Sequence, residues 1–348
     1  MKTGARPRPR STALSALAGL LAVVLLAGCA PADATAPSAT GDTAGPATAV
    51  VDDASIHPIT TDPEPRLPVT VRSYDGVDVT ITDVSRIIAV DLYGTLGEIV
   101  YTLGLGDNVV GRDRATGFPE AADVPLVSAA GHDLNAESIL SLNPTVVLTD
   151  TSIGPSEVQA QLRAAGIPVV YFTPERTLEG IGPQITAVAE ALGVPEAGAA
   201  LVERVEGEIA SAVELAPADG EAPRIAFLYL RGAAGIYLLG GPGSGADAMI
   251  HAIGAVDVGT NIGLDRSFVN LTSEALISAA PDVILVFSEG LKSVGGVDGL
   301  VGITGIAQTP AGANRRVVDM SDTTLLSFGP RTGATVRALA EAVHGTSR

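Results

Sequence analysis

Tyr229 and Arg231 stand two residues apart in the apolar stretch RIAFLYLRGAAG, residues 224–235. In a strand, side chains i and i+2 share a face, so Phe227, Tyr229 and Arg231 point one way and Leu228 and Leu230 the other. A phenol beside a guanidinium has a chemistry. The phenolate is a hard, anionic donor suited to ferric iron, and a nearby cation favours the ionised form. Read locally, the same arginine is also satisfied by snorkelling at a sheet margin. Of the four histidines, His57 falls in a stretch rich in polar residues and proline, His344 in the C-terminal tail and His251 inside an apolar helix. His132, in SAAGHDLNAES, sits on a polar loop just ahead of a helix. A histidine and a tyrosine from two halves of a chain could hold a ferric ion from opposite sides. A haem supplies the four equatorial nitrogens and needs just such axial ligands.

Other chemistries fail on spacing. GPGSG (241–245) approaches a nucleophile elbow around Ser244, but Pro242 stands where that pattern needs glycine. GGPGSGAD (240–247) approaches a phosphate loop, but Ala246 and Asp247 replace its Lys and Ser/Thr. The loop's amides could still face an anion at a helix start. A zinc receptor favours several convergent histidines, and these four are scattered. No triad, metal cluster or phosphate loop supports an enzyme such as a metal-dependent hydrolase.

The elements that must carry these residues repeat. LPVTVRSYDGVDVTI (67–81) alternates around Asp75-Gly76 and predicts an N-terminal β-hairpin. Short apolar runs follow at 86–90, 109–111, 145–150 and 168–172, with helical patterns at 94–104 and 135–143. Strands alternating with helices predict a parallel α/β sheet. The pattern restarts with strands at 224–230, 282–287 and 315–320 and helices at 245–254 and 272–280. NAESILSLNPTVVL (135–148) aligns with TSEALISAAPDVIL (272–285) under a shift of 137 residues, matching Glu137 to Glu274 and Pro144 to Pro281. Between the halves, a proline-free helical stretch (197–216) reads as one rigid connector. The expected fold is α/β, two Rossmann-like lobes joined by a single long helix. Its segments are an N-terminal lobe at 67–194, a linker helix at 195–218 and a C-terminal lobe at 219–348.

Ahead of the lobes, four basic residues precede an apolar run of 14 residues from Ala13 to Leu26. The run is shorter than the ~20 residues of a membrane span, so 1–28 reads as an export signal. Residues 29–66 lack hydrophobic periodicity and read as a disordered tether. Without the signal, 17 basic residues face 39 acidic ones, a net charge of −22. That balance excludes nucleic acid as a partner.

The ending LAGC, with the only cysteine at Cys29, resembles a bacterial lipoprotein signal. The resemblance implies cleavage before Cys29, a lipid on its sulfur and a place on the extracytoplasmic face of the membrane. The membrane would be touched through that anchor only. The two lobes, the single helix and the repeated Glu helix before a Pro-strand resemble the cluster A substrate-binding proteins, with the class III periplasmic-binding-protein fold. These serve ABC importers of iron complexes, haem and cobalamin. The resemblance implies a non-enzymatic carrier with one ligand in the cleft, and Glu137 and Glu274 meeting arginines of the permease. GHDLNAESI and FLYLRG sharpen it, for they are similar to haem-uptake lipoproteins of the HmuT type. Carried over, His132 and Tyr229 become axial ligands of a transported ferric haem b, with Arg231 supporting the tyrosine. Strand C-termini line ligand crevices in open α/β sheets, so Arg112, Arg114, Arg331 and Tyr93 become candidates for the propionates. Arg331 could instead pair with a nearby carboxylate. The alternatives are a ferric-siderophore or other iron-complex receptor of the same fold, and a surface lipoprotein with an empty cleft.

Overall fold

The computed structural model describes residues 45–128, 133–217 and 222–345. In chain order, β1 (Ala47–Ala49) is followed by β2 (Val69–Arg72) and β3 (Asp78–Ile81). The last two form the expected antiparallel hairpin. Its turn places Gly76 at φ 81°, a left-handed conformation that costs little without a Cβ. The first lobe's sheet comprises β4 (Ile87–Val90), β5 (Val109–Arg112), β6 (Val146–Thr149) and β7 (Val169–Tyr171). All four are parallel, in the order β5-β4-β6-β7. β4 and β6 are buried at every position, as the central strands of a sheet covered on both faces must be.

The second lobe contributes β8 (Arg224–Arg231), β9 (Ile236–Gly240), β10 (Val256–Asp257), β11 (Phe268–Asn270), β12 (Val283–Phe287) and β13 (Val317–Met320). The order is β1-β13-β12-β8-β9-β11, with β10 paired to the start of β8. β1, β8, β10, β12 and β13 run parallel, whereas β9 and β11 add an antiparallel margin.

A helix over Pro195–Val213 joins the lobes. Proline fits its first position, where no intrahelical N–H partner is needed. Leu201, Val205 and Ala212 lie on its buried face. They belong to one apolar core that also takes in Ile181 and Ile185 of the helix Leu178–Ala191 and Val336 and Leu339 of the helix Thr332–His344. The connector therefore packs on one helix from each lobe.

The repeat is visible in backbone detail. Asn135 caps the helix Ala136–Ser141 by accepting from Ser138 N, and Thr272 caps the helix Ser273–Ala279 by accepting from Ala275 N. Asn143 and Ala280, matched by the 137-residue shift, both take positive φ, 46° and 43°, directly before a proline. Glu137 and Glu274 stand exposed in the two first turns.

The expected disordered tether, 29–66, fails over its described part, which is built into the fold. β1 pairs parallel with β13 in the second lobe. Ile56 is buried, and Ile59 N donates to Thr102 O of the first lobe at 2.8 Å. Arg66 N then donates to Gly193 O at 2.8 Å. Residues 45–66 thus form a strap across both lobes. One three-residue strand and scattered isoleucines carry too little periodicity to announce it. Among the described residues no helix is long and apolar enough to cross a membrane.

Candidate functional site

Strand β8 alternates as its sequence demands. Ile225 and Phe227 enter the large core shared by the lobes, with Tyr229 packed against it, while Ala226, Leu228 and Leu230 enter a separate core on the opposite face. Where β8 ends, Tyr229 and Arg231 open onto a cavity of about 500 Å³. Leu92, Tyr93 and Arg114 line it from the first lobe, and Leu238, Phe268, Phe287 and Leu326 from the second. Phe268 and Phe287 meet the Tyr229 ring edge-on, each with its centroid 6.0 Å away. The Tyr229 hydroxyl has no hydrogen-bond partner among the described residues.

Arg231 does not reach that hydroxyl. Its guanidinium carbon lies 4.5 Å from the ring centroid, so the cation rests on the aromatic face. Two bonds hold it there, Nη1 to Leu230 O at 2.9 Å and Nη2 to Asp322 Oδ1 at 3.1 Å. Asp322 Oδ2 accepts from Glu289 N at 3.1 Å.

The first lobe presents a similar grouping. Tyr93 follows β4, and the Arg176 guanidinium carbon lies 4.4 Å from its ring centroid. Arg176 pairs with Asp150 at 3.1 Å and with Asp91 at 3.7 Å, all three buried. Burial pushes the Tyr93 phenol above its ordinary range. Arg176 opposes the shift, and Asp150 and Asp91 add to it. Behind Tyr93, burial and the charge of Asp91 push the Asp113 carboxyl up to about 7. Its oxygens accept from Asp91 N at 2.9 Å and Thr116 N at 2.7 Å.

The other expected residues divide. Arg114 lines the cavity, exposed, with no ion pair or hydrogen bond among the described residues. Arg112 does not line it, because its guanidinium bonds Val124 O and Thr116 O, each at 3.1 Å, and so ties down the loop after β5. Arg331 is also withdrawn. Its Nη2 meets Glu98 Oε2 at 3.0 Å, its backbone N donates to Glu98 Oε1 at 2.7 Å, and its Nη1 reaches Ala54 O at 2.9 Å. This is the carboxylate pairing left open from the sequence, and it clamps one lobe to the other. Thr95 Oγ1 donates to Ser327 O beside it. The amides of the GPGSG loop are occupied as well, since Asp247 accepts from Gly243 N at 2.8 Å and Gly245 N at 2.9 Å. His132 and Cys29 lie outside the described residues. Among the described residues no cluster of three or more His, Cys, Asp or Glu could hold a metal ion.

Sequence reasoning missed Asp322, Arg176, Phe268 and Phe287. Two of these had a signal. Asp322 follows β13 and Arg176 follows β7, so both stand just past strand C-termini, where the crevice rule looks for ligand contacts.

Two α/β lobes, one connecting helix and a cavity between the lobes define a two-lobed ligand-binding protein. The chain belongs to the periplasmic binding protein family, whose model matches residues 90–324. It is similar to the solved structure of heme binding protein HmuT, at 41% identity and a TM-score of 0.81 over 86% of this chain and 97% of that one. Structures of three variants of that protein, with an arginine, a histidine or a tyrosine changed to alanine, are similar at 40% identity. The periplasmic heme-binding protein RhuT from Roseiflexus sp. RS-1 is 40% identical, with a TM-score of 0.71 over 75% of this chain and 98% of its own. A cobalamin-binding protein of Halobacterium salinarum is 25% identical over 285 residues, 80% of this chain and 75% of that protein.

Proposed function

We propose that the protein binds ferric haem in the cleft between its lobes and delivers it to the permease of an ABC importer. The observation that carries this reading is Tyr229, whose unbonded hydroxyl opens onto an apolar cavity while Arg231 lies on its ring. The phenolate oxygen is the anionic donor to iron, and His132 is its partner on the opposite haem face. The cavity, about 500 Å³, is within the ordinary range for ligand pockets. Its aromatic and aliphatic wall suits a porphyrin. Arg114 and Tyr93 are the donors for the propionates. The tyrosine and arginine changed in the HmuT variants stand two positions apart, as Tyr229 and Arg231 do.

Lipidation of Cys29 holds the protein at the extracytoplasmic face of the membrane. Glu137 and Glu274, one on each lobe, meet the permease. An absorption titration with hemin tests the reading, with a ferric siderophore and cobalamin as competitors. A Soret band shift saturating at a defined stoichiometry and resisting both competitors is expected. No shift, or displacement by the siderophore, would overturn it.

A further inference from the structure

Asp322 completes an arrangement that a tyrosinate ligand does not by itself require. A cation on the Tyr229 ring strengthens the phenolate, and Arg231 supplies it. Asp322 then brings a carboxylate within 3.1 Å of that cation and offsets much of its charge. The same carboxylate is fixed from behind by Glu289 N, so it cannot swing away without losing a second bond. Both side chains remain partly open to the cavity, Arg231 33% and Asp322 23% exposed. The corresponding pair of the first lobe, Arg176 and Asp150, is 4% and 0% exposed and faces no solvent. The first-lobe grouping is a buried clamp. The second-lobe one stands where its charge is felt by whatever occupies the cavity.

Resting on the haem reading above, we propose that Asp322 is a positioning residue that weakens the hold of Tyr229 on its cargo, so that haem can be released. It does so through Arg231, in two ways. It keeps the guanidinium flat on the ring and away from the phenol oxygen, so the phenolate goes without the hydrogen bond that would hold it in its charged form. It also offsets the positive charge that would otherwise favour the anionic donor.

The test follows haem transfer from the full-length protein to excess apomyoglobin at fixed pH, with the tyrosinate charge-transfer absorption recorded alongside. Asp322→Asn keeps an oxygen for Arg231 but removes the charge, and transfer should slow about tenfold, the usual reach of a group that acts on a metal ligand from behind it. Arg231→Ala should speed transfer, because the phenolate then loses the cation on its ring. Adding Asp322→Asn to Arg231→Ala should change the rate no further, because Asp322 acts through Arg231, and Asp322→Glu should keep the wild-type rate. A residue that merely held the fold would give the opposite sign, each loss adding to the last. Unchanged or faster transfer from an Asp322→Asn variant of wild-type melting temperature would overturn the proposal. Failure of the wild type to take up hemin at all would instead overturn the haem reading, and this proposal with it.

Discussion

At the scale of single residues, the site rests on one strand end. Tyr229→Ala should cost the most haem affinity, since it removes the anionic donor and leaves Arg231 facing the cavity. His132→Ala should cost less, because five-coordinate ferric haem keeps the tyrosinate, and added imidazole should restore the wild-type spectrum. Arg231→Ala should weaken binding about ten- to a hundredfold, the usual range for a group that orients a metal ligand. Hemin titrations of the three variants check the order, and identical spectra in all three would move the iron elsewhere. Tyr229 and Arg231 were legible because two-residue spacing on a strand needs only local sequence. The fates of Arg112, Arg331 and Asp322 were not. Glu98 lies 233 residues from Arg331 and Asp322 lies 91 from Arg231, so nothing local distinguishes a ligand donor from an arginine already paired.

At the scale of elements, the repeated helix before a proline was legible because capping residue, glutamate and proline recur at fixed spacing. Central strands such as β4, β6 and β12 were legible as unbroken apolar runs. The short β9 and β11 were not, for their burial is partial and their pairing antiparallel. Reversing both Glu137 and Glu274 to lysine should abolish uptake by whole cells while leaving hemin titration unchanged; uptake that survives removes them from the permease interface. The clamp between the lobes has its own signature. Glu98 is 2% and Arg331 19% exposed at the side chain. Arg331→Ala strands the carboxylate, at a cost of about 3–5 kcal/mol. The urea midpoint should fall accordingly, and a double change to Glu98→Gln and Arg331→Met should recover part of it.

The whole molecule should respond to pH through its buried carboxyls. Burial pushes Asp113 up to about 7, with the charge of Asp91 adding to it, and burial also raises Asp150 and Asp257. Each binds a proton more readily folded than unfolded. Between about pH 4 and about pH 7 the folded state therefore holds extra protons, and stability rises as pH falls through that window. Urea midpoints should climb from about pH 7.5 to about pH 5; a steady decline would contradict the buried cluster. Cys29→Ser should shift the protein from the membrane fraction to the soluble one or leave it unprocessed, and unchanged fractionation would reject the anchor.

The strap that begins at β1 makes the protein's birth order matter. Ala47 pairs with Val318 and Ala49 with Met320, so the first described strand finds its partner 271 residues later. A chain emerging from its N-terminus must carry that strand unpaired until almost everything else exists. Bringing such distant segments together is entropically costly and slow. The second-lobe sheet can therefore take its final edge only when synthesis is nearly over, and until then that margin lies open to chaperones, proteases or another copy's β13. A version of the protein begun at residue 67 would keep both lobes and the cleft but leave β13 as a permanent bare edge.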